Sequence, residues 1–215
     1  VENNIYGLDI DKRAYQLSYF AIMMKARQYN RRALTLNLTC NVSKIEESNN
    51  LANFNYEGLT NNKDFNKVGQ YLIDAFKNAE EIGSLLTIKR NDYTGFNDYL
   101  EDIENSFDGG DLFAVDWLEN TKPMMNKLAT QADIMSRKYV AVVANPPYMN
   151  KMEGYLKKFV LDNYKDYSGD LFSVFMKKNL DYCLSDSYAG FMTPFVWMFI
   201  KTYEKLREYI IQNKY

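Results

Sequence analysis

The residues of this chain whose types and spacing best suit chemistry are Asn145-Pro146-Pro147-Tyr148. Neither proline has an N–H to donate, and each fixes its own φ while pushing the preceding residue out of the helical region. The turn is therefore stiff and extended, and its carbonyls are left as free acceptors. Asn145 adds a further acceptor and an amide donor, and Tyr148 adds a flat ring. Acceptors set beside a ring could grip a planar group that carries an NH2. The same four residues also make an ordinary strand end, because Asn and Pro are common turn formers.

Such a turn must be held from its amino side, and Tyr139-Val140-Ala141-Val142-Val143-Ala144 supplies the element. Valines interleaved with alanines form a continuous apolar run, which predicts a strand buried on both faces in a parallel sheet. The tetrapeptide then falls at the carboxyl end of a strand, where open α/β sheets bind ligands. A second unit opens the chain. Asn4 to Asp11 reads as a strand ending in acids, and a helix follows with Asp11 as N-cap and Ala14, Leu17, Ala21 and Met24 on one apolar face. Strand, carboxylate and helix make the doubly wound unit in which an acid at the strand end can hold two ribose hydroxyls. Two aspartates that only cap a helix would give the same pattern. Farther on, Asp170 is placed to cap a helix with Leu171, Val174, Phe175 and Leu180 on its apolar face, and Tyr188 to Pro194 supplies another short apolar strand.

Asn-Pro-Pro-Tyr after an apolar strand resembles motif IV of the amino-methyltransferases that use S-adenosylmethionine, above all those acting on the 6-amino group of adenine in DNA. Gly7-Leu8-Asp9-Ile10-Asp11 resembles their motif II, whose acid contacts the cofactor ribose; by position that acid is Asp9. Asp170-Leu171-Phe172 opens a helix, a strand then runs into Thr193-Pro194, and Trp197-Met198-Phe199 leads into Leu206-Arg207-Glu208. This order is similar to the DNA adenine methyltransferases of type II restriction systems, and closer still to the BREX-type phage-defence methylases. The likeness covers about residues 4–32 and 139–208 and leaves out the middle.

The resemblance implies an α/β fold: a Rossmann-like S-adenosylmethionine-dependent methyltransferase core, incomplete in this chain, with a mostly helical insertion. The core takes residues 1–42 and 139–215, and the insertion takes 43–138. It implies catalytic roles for Asn145, Pro146 and Tyr148, cofactor contacts from Asp9 and Asn145, base contacts from Pro147 and Tyr148, and no metal. The partner is double-stranded DNA with a flipped-out adenine, with other defence-system proteins as further partners. A Gly-containing first motif is expected before Asn4, and an aromatic motif and a target-recognition domain after Tyr215. The isolated chain is accordingly expected to bind cofactor weakly or not at all. Within the enzyme class, the tetrapeptide also fits methyltransferases of protein glutamine or of RNA. Outside it, the chain could be a non-catalytic scaffold or DNA-binding part of a defence complex.

Composition sets outer limits. With 215 residues, 47% hydrophobic and 25% charged, the chain can bury a sizeable core. It contains no histidine, which removes Ser/His and Cys/His catalysis and most zinc sites. Cys40 and Cys183 are isolated, so neither a disulfide framework nor a metal site is expected, and a reducing cytoplasm fits. No run reaches membrane-span length and no signal peptide is visible. The chain opens without Met and ends inside an apparent helix, so it reads as a piece of something longer. Net charge is −2, so nucleic acid would have to be met by local patches. Lys25, Arg27, Arg31 and Arg32 form the densest basic cluster. At a helix end such a run is usually a solvated face that complements the dipole, and phosphate contact is the other reading.

Between the two core parts, Leu34 to Val42 alternates as a strand nearer a sheet edge would. Ser43 to Asn66 is an Asn-rich surface tract. Helices are predicted over Phe65–Ile82 and Phe96–Phe107, a short strand or extended segment over Ser84–Lys89, a turn at Asp108–Asp111, and a helix over Leu112–Lys138 broken near Pro123.

Overall fold

The computed structural model describes residues 1–36, 38–51, 62–106 and 115–213. The Asp108–Asp111 turn and residues 52–61 of the Asn-rich tract lie outside the described residues. The chain divides into two compact units, Val1–Ser136 and Arg137–Tyr215.

In the first unit, strand β1 (Tyr6–Asp9) leads into helix α1 (Lys12–Tyr29), which returns to strand β2 (Asn41–Lys44). The two strands pair in parallel, from Tyr6 opposite Asn41 to Asp9 opposite Lys44. Strand β2 is shorter than the expected Leu34–Val42 run, whose first residues form a 3-10 turn at Ala33–Thr35. Only four residues of β1 are available to ladder against, so only four on the partner can pair. Asp11 is the N-cap of α1, its Oδ1 accepting from the Arg13 N–H at 2.6 Å. The helix does not bury its expected face. Met23 packs with Cys40 and Val42, supported by Tyr15, Tyr19 and Ile22, while Leu17 is 68% exposed. Apolar residues run most of the way round this helix, so periodicity alone could not say which stripe meets the strands.

A helical layer completes this unit: α2 (Lys63–Ala75), α3 (Ala79–Ile82), α4 (Tyr93–Ser106) and α5 (Lys122–Ser136). Leu72, Phe76, Phe96, Leu100, Trp117 and Leu128 are fully buried within it. The expected single helix over 65–82 is interrupted at Asn78, which takes a left-handed φ of 53°. Over 84–89, where a short strand or extended segment is expected, no strand pairs; a 3-10 turn at Gly83–Leu85 is followed by chain without regular structure. Leu85, Leu86 and Ile88 are buried all the same, so the apolar run reports burial and not pairing. Near Pro123 the helix is not broken. A π-helical turn, Trp117–Thr121, feeds α5, with the Lys122 N–H donating to the Trp117 carbonyl. The wider turn sits where Pro123 has no N–H to give and its ring crowds the preceding carbonyls. The layer is tied to the strand segment by the Ser48 hydroxyl, which donates to the Ile73 carbonyl, and by the Glu46 N–H, which donates to Gln131 Oε1 at 2.9 Å.

In the second unit, strand β3 (Tyr139–Ala144) is followed by helices α6 (Gly154–Asn163) and α7 (Leu171–Asp181), strand β4 (Cys183–Phe191) and helix α8 (Glu204–Gln212). Strands β3 and β4 pair in parallel, Val142 opposite Ala189 and Ala144 opposite Phe191, with an irregularity between Tyr139 and Ala141. Phe172, Met176 and Leu206 form the core, with Phe191, Trp197 and Tyr203 packed against them. The expectation that β3 is buried on both faces is corrected: Val140 is 64% and Val143 82% exposed. Val143 shares a sheet face with Tyr188, which is 77% exposed. Helix α7 covers one face of this two-strand sheet, and within the unit nothing described covers the other. Among the described residues no helix is long and apolar enough to cross a membrane.

Lys178 on α7 is buried, its Nζ 4.7 Å from the Tyr182 ring centroid. Burial pushes its ammonium down to about 8, against an ordinary 10.5. A folded pKa below the unfolded one means that the charged form opposes folding, and this penalty fades as pH rises from about 8 toward 10.5. Lys178→Met should therefore stabilise the chain at pH 7 by about 1–2 kcal/mol. It should also flatten the rise in thermal midpoint between pH 7 and pH 9, as followed by circular dichroism.

Candidate active site

The chain beyond β3 is shaped by the two prolines and then anchored at three points. The Met192 N–H donates to the carbonyl of Ala144, the last residue of β3, at 3.1 Å. The Tyr148 hydroxyl donates to the carbonyl of the same Met192 at 3.0 Å. One residue just past β4 thus closes a ring of contacts around Asn145, Pro146 and Pro147. The third anchor is Asp170, the N-cap of α7. Its Oδ1 accepts from the Phe172 N–H at 3.2 Å and from the Met149 N–H at 2.9 Å. The Leu171 N–H in turn donates to the Met149 carbonyl at 3.0 Å. Tyr148 meets Phe172 edge to face, with ring centroids 6.2 Å apart at 90°. That is a favoured arrangement for two aromatic quadrupoles.

Pro146 is buried, whereas Asn145, Pro147 and Tyr148 are exposed, Tyr148 at 55%. Among the described residues neither the Asn145 side chain nor the Pro146 carbonyl has a hydrogen-bond partner. The loop therefore offers two acceptors without a partner among the described residues, next in sequence to a half-exposed ring whose hydroxyl is pinned. This is an arrangement able to hold a planar amino group.

Asp9 lies in the first unit, at the carboxyl end of β1. Its Oδ1 accepts from the Asp11 N–H at 2.8 Å, and its main-chain carbonyl accepts from the Ile45 N–H at 2.8 Å. The division of labour between the two acids is visible here, with Asp11 turned to the helix and Asp9 held at the strand end with its second oxygen open. A cavity of about 420 Å³ in the same unit is lined by Tyr15, Lys44, Glu46, Asn126, Lys127 and Gln131 among others; Asp9 is not one of them.

Sequence reasoning recognised Asp170 only as a cap. Its second role, on Met149, carries no local signal because the donor lies twenty-one residues earlier. Met192 could not have been found, since it acts through its backbone alone. Arg207 is a further case: its Nη1 donates to the carbonyls of Trp197 at 2.7 Å and Ile200 at 2.8 Å, so α8 braces the segment after β4. Asp170→Ala should cost about 1 kcal/mol, as loss of a helix N-cap does. It should also speed hydrogen exchange at both the Phe172 and Met149 amides. Asp170→Asn, which retains an acceptor, should protect both; unchanged exchange at Met149 in the Ala variant would show that Asp170 does not hold this loop.

The family description "Eco57I restriction-modification methylase" matches residues 3–215, and so takes in the middle segment that the sequence resemblance left out. Over its whole length the chain is 32% identical to adenine-specific methyltransferase BrxX of Escherichia coli O9:H4 (strain HS), covering 19% of that protein. Over 97% of its length it is 32% identical to adenine-specific methyltransferase PglX of Lacticaseibacillus casei (strain Zhang), covering 17% of that protein. It thus spans under a fifth of the curated relatives it matches. With a strand that runs into Asn-Pro-Pro-Tyr and a match that runs nearly end to end, the chain belongs to the Eco57I restriction-modification methylase family, a family of S-adenosylmethionine-dependent methyltransferase fold.

Proposed function

We propose that this chain carries the catalytic tetrapeptide and part of the cofactor site of a site-specific DNA adenine methyltransferase serving restriction-modification or phage defence. The observation that carries the reading is the pair of unpartnered acceptors, the Asn145 side chain and the Pro146 carbonyl, beside the fixed ring of Tyr148. The family and the names of the two relatives support adenine as the target. Two parallel strand pairs, one with Asp9 and the other with the tetrapeptide at a carboxyl end, support a Rossmann-like core.

On this reading an adenine is swung out of the duplex, at an unstacking cost of a few kcal/mol. The Asn145 side-chain oxygen and the Pro146 carbonyl accept hydrogen bonds from its 6-amino group. Those bonds draw the nitrogen lone pair out of conjugation with the ring and so make the nitrogen a better nucleophile. Tyr148 stacks on the base and Pro147 lies against it. The residues present fit S-adenosylmethionine: the open oxygen of Asp9 suits a ribose hydroxyl, and the exposed Asn145 side chain has polar atoms to offer it. When bound, that cofactor supplies an electrophilic methyl. The protein's part is chiefly orientation, which can account for several kcal/mol of a barrier. No strong general base is needed, since the amine can release its proton to water once it has become cationic.

The test is transfer of labelled methyl from S-adenosylmethionine to adenine-containing duplex DNA by the intact protein. Asn145→Ala should lower transfer at least a hundredfold, through loss of both polarisation and aim. Transfer unchanged in that variant would sink the mechanism. Absence of label on any duplex would point to a glutamine or RNA substrate.

A further inference from the structure

From Lys12 to Ile45 the chain carries seven cations, Lys12, Arg13, Lys25, Arg27, Arg31, Arg32 and Lys44, and not one Asp or Glu. The net charge of −2 therefore hides a strongly basic stretch set against an acidic remainder. Lys44 is neutralised by Glu46 and Glu80. The other six make no ion pair among the described residues, and four of them gather at the carboxyl end of α1. There Lys25, Arg27, Arg31 and Arg32 are all exposed, as are Gln28, Tyr29 and Asn30 between them. Tyr29 is 85% exposed, and the Lys25 Nζ lies 5.8 Å from its ring centroid.

Complementing the helix dipole needs one or two cations in the last turn, and Arg27 already occupies it. Four like charges with no ion-pair partner among the described residues repel one another, which works against the fold unless a polyanion meets them. The exposed side chains in the patch, Arg, Lys, Tyr, Gln and Asn, are the set that donates to phosphate oxygens in protein–DNA interfaces, where such contacts position the protein without reading sequence. From Asp11 to Arg27 is sixteen residues, roughly 24 Å of helix at 1.5 Å each, so the patch stands at the far end of α1 from Asp9.

We infer that the carboxyl end of α1, through Lys25, Arg27, Arg31 and Arg32 with Tyr29 among them, is a sequence-independent contact surface for the phosphate backbone of duplex DNA, separate from the base-holding tetrapeptide. This rests on DNA being the substrate, as proposed above. The surface gives affinity and on-rate, and it leaves site choice and chemistry to other parts of the protein.

The experiment uses the intact protein, wild type beside the triple variant Arg27→Gln, Arg31→Gln, Arg32→Gln. Affinity for duplexes with and without methylatable adenines is measured between about 50 and 200 mM salt. The variant should lose affinity alike for both, with the slope of log K against log salt shallower by about 2.7, roughly 0.9 for each cation. Its kcat at saturating DNA should match the wild type while its KM for DNA rises. Replacing the same three residues by Lys should restore the slope. An unchanged slope in the Gln variant, in a protein whose wild type binds and methylates DNA, overturns the inference alone. An unchanged DNA slope with weakened binding to polyglutamate overturns it in favour of an acidic protein partner. A wild type that neither binds nor methylates any duplex removes the DNA reading beneath it.

Discussion

A single carboxylate oxygen, Oδ1 of Asp170, holds both the first turn of α7 and the loop that follows the tetrapeptide. Bonds from N–H groups to an ionised acceptor are about twice as strong as neutral ones. Two prolines can stiffen a chain, but they contribute no donor and so cannot fasten it to anything. The fastening comes from either side of them. Met192 ties Ala144 to Tyr148, and Asp170 ties Met149 to the helix. Between these anchors the Asn145 side chain and the Pro146 carbonyl are left without a hydrogen-bond partner among the described residues.

The same economy appears at β1. Asp9 and Asp11 are two residues apart, yet one faces the strand end and the other caps α1. Helix α1 then carries the chain away from these acids to its basic carboxyl end. A capped helix start, an acid at the strand terminus and a cationic end with no ion pair among the described residues thus lie on one short stretch. The basic end does not show in the total charge because the rest of the chain is acidic enough to mask it.

Much of this was legible in the sequence. The strand before Asn145, the caps at Asp11 and Asp170, the helical character of the middle and the resemblance to adenine methyltransferases all rest on local rules: proline geometry, side-chain capping, apolar spacing and a motif read in its context. Each of these depends on residues within one turn or one strand of each other, so the linear order contains the needed information. The family match has the same basis, extended across the chain.

Tertiary structure decided the rest. Leu17 was expected inside and lies outside, because α1 has apolar residues on several sides and only the strands select Met23. Ser84 to Lys89 reads as a strand or an extended segment and joins no ladder, while Leu34 to Leu36 lie outside the four-residue span that β1 pairs. Val143 reads as a buried residue and is exposed, since burial depends on what packs on the second face of the sheet. Pro123 reads as a break, and a π turn absorbs it. The Asp170 to Met149 bond and the two bonds of Met192 join residues distant in sequence, one of them through backbone atoms common to every amino acid. Residue identity therefore determined which groups could do chemistry, and only the packing of distant segments determined which of them are held still, which are buried, and which are left free to bind.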